Sequence, residues 1–197
     1  MRDKEAYALK TLGSRDSISL PAGEAVVAGA FGLGRVIGTG DKGHKSSARL
    51  VRAIEEGQAK ALTSTLTLIE IASAIKRSSR KFAQEHSSDQ ELPGSFVRRT
   101  LRTKNLEYFN LGTEIPLWQA RIPAVYAIAL KAARTLPLRT LDLLHVASAY
   151  AAIRLYGKQL DYFTTLDAGI LEARKEIKTL LGCPTVSPEE VVTLEGL

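Results

Sequence analysis

Short apolar runs alternate with helix-period segments along most of this 197-residue chain, and that alternation restricts the fold more than any other feature. AKALTS (59–64) reads as a short strand, and the stretch from Thr65 to about Phe82 reads as a helix with Leu66, Ile69, Ala72 and Ile75 on one face. Before them, Ala48, Leu50, Val51 and Ile54 recur at helical spacing until Glu55-Glu56-Gly57 ends the helix. LEYFNL (106–111) and LDYFTTLD (160–167) are further strands, and PTVSP (184–188) is a last short one. Helices are expected over Ile115–Thr135, with Pro123 kinking it, over Thr140–Leu155, and over 168–179. Strand-helix alternation predicts an α/β fold with a mainly parallel sheet and helices on both faces. Residues 1–25 read as an N-terminal extension and 26–197 as one domain, a length that buries one core.

Cys183 is the sole cysteine, so no intramolecular disulfide forms, and it reads as a small apolar filler. The run 25–38 is too short and glycine-rich for a membrane span, and no signal-peptide pattern is visible. The expectation is a cytoplasmic protein with no membrane partner.

The net charge of +6 is concentrated. Between Lys76 and Lys104 lie Lys76, Arg77, Arg80, Lys81, Arg98, Arg99, Arg102 and Lys104 against Glu85, Asp89 and Glu91, a local balance of +5. Such a surface suits a polyanion, usually nucleic acid; a solvated pair of helices gives the same composition. Polar residues 87–94 read as a loop and 95–104 as a second basic helix.

Three acids follow strands or turns at the beginnings of helices: Glu70 in TSTLTLIEIAS, Asp142 in LRTLDLLHVASAY and Asp167 in YFTTLDAGI. A parallel sheet gathers strand carboxyl ends and helix amino ends along one edge, where ligands bind. Each acid also has a structural explanation. Glu70 fits a capping box with Thr67, Asp142 complements a helix dipole, and Asp167 fits an N-cap. In favour of a site, Glu70 lies between Ile69 and Ile71, and Asp142 between Leu141 and Leu143. Acids in apolar runs are costly to bury unless paired or metal-bound, and helix N-termini keep carboxylates ionised and fit for Mg²⁺ or Mn²⁺. His145, one turn after Asp142, reads as an orienting hydrogen-bond partner or a core histidine.

These segments resemble the PIN-domain family of metal-dependent ribonucleases over residues 26–195. LRTLDLLHVASAYAA (138–152) is similar to the family's third acidic motif, with His three residues after Asp. LDYFTTLDAGI (160–170) resembles the fourth and ALTSTLTLIEIASAI (61–75) the second. GDKGHKSSARLVRAIEEG (40–57) resembles the helix after the first strand, and TVSPEEV (185–191) the closing strand. The resemblance implies a three-layer α/β/α sandwich around a mainly parallel central sheet. It implies Glu70, Asp142 and Asp167 as catalytic metal ligands for Mg²⁺ or Mn²⁺, Thr165 and His145 as supporting residues, and a metal-activated water that hydrolyses RNA phosphodiesters. Lys76, Arg77, Arg80, Arg98, Arg99 and Arg102 are the expected RNA contacts. An antitoxin-like protein and a second copy of the chain in a homodimer are the implied protein partners.

The family's first strand ends in an acid. Counting back from His44 lands on Gly29 in AVVAGAFGLGRVIGTG (25–40), and a second alignment through SISLPAG (17–23) lands on Pro21. Neither is acidic, which leaves Glu24, Asp16 and Asp41 as substitutes and implies a weakened nuclease. The alternatives are a catalytically inactive PIN-like module that binds RNA or protein, and a dinucleotide-binding protein. The last needs glycine at Phe31 and an acid about 20 residues beyond the glycines, and has neither.

Overall fold

Residues 25–28, 44–73, 102, 105–109, 112, 114–117 and 120–197 are described by a computed structural model. The run AKALTS forms β2 (Ala59–Ser64), in which every residue except Lys60 is buried. Near-continuous burial of this kind belongs to a strand inside a parallel sheet. On one side β2 pairs with β1 (Ala25–Ala28), and on the other with β3 (Leu106–Phe109). Two later strands, β6 (Tyr162–Thr164) and β7 (Thr185–Val186), complete a five-stranded sheet in the order β3-β2-β1-β6-β7. All of its pairings are parallel, with Val27 opposite Tyr162 and Phe163 opposite Thr185.

Helices join these strands. Helix α1 (His44–Glu55) precedes β2 and α2, helical through the described residues 65–73, follows it. The strand residues divide between two apolar clusters. Leu62, Phe109 and Phe163 pack with Val125 and Ile128 of α3 (Ala124–Ala132), Val146 and Ala149 of α4 (Thr140–Tyr156) and Ile177 of α6 (Arg174–Leu181). Ala59, Ala61, Leu106 and Val186 pack instead with Leu50 and Ile54 of α1, Ile71 of α2, and Val191 and Val192 of α7 (Pro188–Glu195). Neighbours along one strand, Ala61 and Leu62, thus serve different clusters, as the two-residue repeat of a strand requires. The architecture is α/β.

Two expected elements take other forms, and one helix is added. Residues 115–135 are not one helix. Strands β4 (Glu114–Leu117) and β5 (Ala120–Pro123) form an antiparallel hairpin, and α3 begins only at Ala124. Pro116 and Pro123 explain the change, because each would remove a hydrogen bond inside a helix and clash with the preceding turn. Pro123 does not kink a helix; it stands at the N-cap of α3 with φ −53°. The helix expected over 168–179 is two, α5 (Ala168–Glu172) and α6, divided at Ala173. One stripe of buried residues, Ile170, Ala173, Ile177 and Leu181, crosses the break, so the periodicity does not reveal it. Helix α7 was not expected. Its signal is Ser187-Pro188-Glu189-Glu190: Ser187 Oγ accepts from the Glu190 N–H at 3.2 Å, and Glu190 Oε2 accepts from the Ser187 N–H at 2.6 Å, with proline in the first turn.

Elsewhere β2 has its expected limits, and α1 and α4 come within two residues of theirs. Residues 1–24 of the extension, the loop 87–94 and most of the second basic helix lie outside the described residues, while Ala25 belongs to β1 and Arg102 stands in a turn. Among the described residues no helix is long and apolar enough to cross a membrane.

Candidate functional site

From β1 the chain proceeds through β2 to β3 on one side of the sheet, and later returns to place β6 and β7 on the other. The carboxyl ends of β1 and β6 therefore flank a topological switch point, the usual ligand crevice of an open parallel sheet. At that edge β2 ends in Ser64 and runs directly into α2, while β6 ends in Thr164 and leads through Thr165 and Leu166 to Asp167. Helix α4 precedes β6, so its N-terminal end, with Asp142 and, one turn on, His145, belongs to the same edge. Residue placement at this edge thus follows from connectivity before any side chain is considered.

Glu70 is the sixth residue of α2. It is not in the first turn, and the capping-box explanation does not hold. Thr67 is buried inside the helix, and its hydroxyl oxygen accepts a hydrogen bond from Thr63 Oγ1 at 2.8 Å. Glu70 Oε2 lies instead 2.8 Å from Nε2 of His145. The two atoms are in close contact, but no hydrogen bond forms between them. The flanking isoleucines differ, for Ile69 is 65% exposed and Ile71 is buried. Glu70 sits at the boundary between a solvent face and a core face rather than within a buried run. Leu141, exposed, and Leu143, buried, bracket Asp142 in the same way.

Asp142 occupies the first turn of α4, whose N-cap residue Arg139 makes no side-chain cap. Burial raises the Asp142 carboxyl above its ordinary pKa, the charge of Asp167 raises it further, His145 and Arg139 oppose the shift, and Glu70 adds to it. Burial and like charge thus act on this acid against the direction that its helix N-terminal position favours. Glu70, Asp142 and Asp167, from three separate segments, therefore share one electrostatic neighbourhood. Among the described residues, however, no group of three or more His, Cys, Asp or Glu side chains is drawn together closely enough to hold a metal ion.

Asp167 is the N-cap of α5. Its Oδ1 accepts from the Ile170 N–H at 3.1 Å, and its own N–H donates to Thr165 Oγ1 at 3.0 Å. Thr165 is buried and thus anchors the turn that presents the exposed Asp167. The N-cap and the site readings are compatible here, because only one carboxylate oxygen is engaged by the cap.

Of the basic residues expected to contact RNA, Lys76, Arg77, Arg80, Arg98 and Arg99 lie outside the described residues, and Arg102 is exposed. Gly29, Pro21, Glu24, Asp16 and Asp41 lie outside them as well. Two residues of this edge were not anticipated. Arg139 brings a positive charge to Asp142, and its place just before the Thr140-Leu141-Asp142 helix start was the available signal. Ser64 is buried at the end of β2 with an unpartnered Oγ; a polar residue closing an apolar strand was the only trace of it.

No protein-family model and no curated protein matches this chain. Among solved structures it is similar to the crystal structure of PAE2754 from Pyrobaculum aerophilum, at 15% identity over 88% of this chain and 90% of that one, with a TM-score of 0.46.

Proposed function

We propose that this chain is a PIN-like, divalent-metal-dependent ribonuclease built as a three-layer α/β/α sandwich. The observation that carries the reading is that the Asp142 carboxyl, raised first by burial, also feels the charges of Asp167 and, more weakly, Glu70. Three acids from three helical segments converge electrostatically at the strand-end edge of a parallel sheet, and their mutual repulsion is relieved by a cation. The layered arrangement is supported by the two apolar clusters that separate Ala61 from Leu62.

The donor set fits a hard cation, since all three ligands are carboxylates. Glu70, Asp142 and Asp167 would hold Mg²⁺ or Mn²⁺, which when bound supplies Lewis acidity and an activated water for phosphodiester hydrolysis. His145 stands against one oxygen of Glu70, and Thr165 fixes the turn carrying Asp167. Arg139 offers the cationic group next to the acids that a scissile phosphate needs.

A second reading, an inactive PIN-like module for RNA or protein, is favoured by one observation. The described first strand is AVVA, and the residue that follows it in sequence is Gly29 rather than an acid. The dinucleotide reading finds little support, because β2 ends in Thr63-Ser64 and not in an acid.

Calorimetric Mn²⁺ titration of the native chain and of Asp142→Asn, beside a cleavage assay on RNA with and without EDTA, tests the reading. Weak binding that Asp142→Asn abolishes, with metal-dependent cleavage, is the expected result. Metal binding and cleavage both absent from the native chain would leave the inactive module. Tight binding unaffected by Asp142→Asn would move the metal elsewhere.

A further inference from the structure

Behind the Glu70–His145 contact lies a small cavity with about 20 Å³ of room, walled by Leu62, Phe109 and Phe163 and by the polar residues Ser64, His145 and Ser148. Ser64 is 6% exposed and His145 5%, so neither can satisfy its polar atoms from bulk solvent. Among the described residues, Ser64 Oγ and His145 Nε2 have no hydrogen-bond partner. Nε2 stands 2.8 Å from Glu70 Oε2 with no hydrogen bond between them. Ser148 Oγ donates to the Leu144 carbonyl at 2.6 Å and keeps its acceptor capacity.

Two orphaned polar groups on one cavity wall are costly, because each forfeits its hydration without replacement. The cavity has space for one water molecule, and a buried water requires two to four polar partners. An apolar cavity of this size stays dry, but this one offers a donor at His145, a donor and acceptor at Ser64, and an acceptor at Ser148.

We propose that this cavity is a binding site for a single water molecule, which accepts from His145 Nε2–H and hydrogen-bonds to Ser64 Oγ. The bridge ties the end of β2 to α4. It gives the nitrogen that stands against Glu70 a second anchor, on the sheet. The site stands whether or not the chain is a nuclease, since none of its partners is an acid.

Two measurements test it on the full chain. A crystal structure that resolves solvent should place density within about 2.6–3.2 Å of both Ser64 Oγ and His145 Nε2; a cavity without density there overturns the proposal. Thermal unfolding of Ser64→Ala gives a second readout with a decisive sign. If the hydroxyl holds a water, its removal leaves that water and the imidazole short of a partner, and Tm falls by about 2–4 °C. If the hydroxyl is a true orphan, its removal relieves a penalty, and a Tm that stays level or rises refutes the bridge.

Discussion

His145 Nε2 stands 2.8 Å from Oε2 of Glu70, joining α4 to α2 at the two atoms most able to carry charge. Glu70 is about one-third exposed while His145 is buried, so the contact is screened on one side only. Truncating His145 to Ala leaves the Glu70 carboxyl without its imidazole contact and opens space in the core, and should cost roughly 1–3 kcal/mol. A double-mutant cycle with Glu70→Gln isolates the pair, with an expected coupling of at least about 0.5 kcal/mol. Additive single variants in urea unfolding would mean that the contact carries no energy.

Asp142 gives a stability prediction whose sign is unusual for a carboxylate. Its pKa is raised in the folded protein, so the native state holds this proton at pH values where the unfolded chain has released it. Stability linked to this group is retained in acid and lost as pH rises from the ordinary carboxyl value, about 3.9, through the shifted one. Asp142→Asn should therefore have a higher Tm than the native chain at neutral pH, with the gap closing in acid. Saturating Mn²⁺ should raise the Tm of the native chain alone. A variant less stable at every pH contradicts the assignment.

Gly169 tests the placement of Asp167. A Cβ there would meet Asp167 Oδ1 at 3.2 Å, pressing on the oxygen that accepts the Ile170 N–H. Alanine is better than glycine inside a helix by about 1 kcal/mol, and a disturbed N-cap costs about the same. Gly169→Ala should thus leave stability within about 0.5 kcal/mol of native while weakening Mn²⁺ binding several-fold. Unchanged calorimetric affinity would show that Asp167 does not serve the ion.

The basic segment is tested by salt. Removing Arg98, Arg99 and Arg102 together should flatten the dependence of RNA affinity on salt, by roughly 0.7 in the log–log slope for each phosphate that is no longer neutralised. Arg139→Gln should act differently, reducing cleavage more than affinity, because it adjoins Asp142 rather than the basic segment. An unaltered slope in the triple variant would mark those arginines as solvated or as facing a protein.

What could be read from residues alone was what neighbours along the chain decide. AKALTS announced β2 because its apolar run is local, and Thr140–Leu155 announced α4 because it is a strongly apolar segment. The hairpin 114–123 escaped detection for the converse reason. Ile115 and Ile122 lie seven residues apart, which continues the helical spacing of Val125 and Ala129, yet in the fold they face each other across antiparallel strands. The acids Asp142 and Asp167 were visible as helix-start residues. The His145–Glu70 contact was not, since nothing near either residue encodes the approach of α2 to α4. The cavity beside Ser64 is likewise set by side chains from β2, β3, α4 and β6 together.

The strand order has a consequence for how the protein is made. β1 is central in the sheet, but one of its two neighbours is β6, so Val27 and Ala28 acquire Tyr162 and Phe163 as partners only after most of the chain has been synthesised. Until then a nascent chain displays an open strand edge, an invitation to aggregation that chaperones commonly shield. The same delay keeps Asp167 away from Glu70 and Asp142 during translation. An RNA-cutting centre assembled in this order would be harmless to the ribosome producing it until the last quarter of the chain emerges.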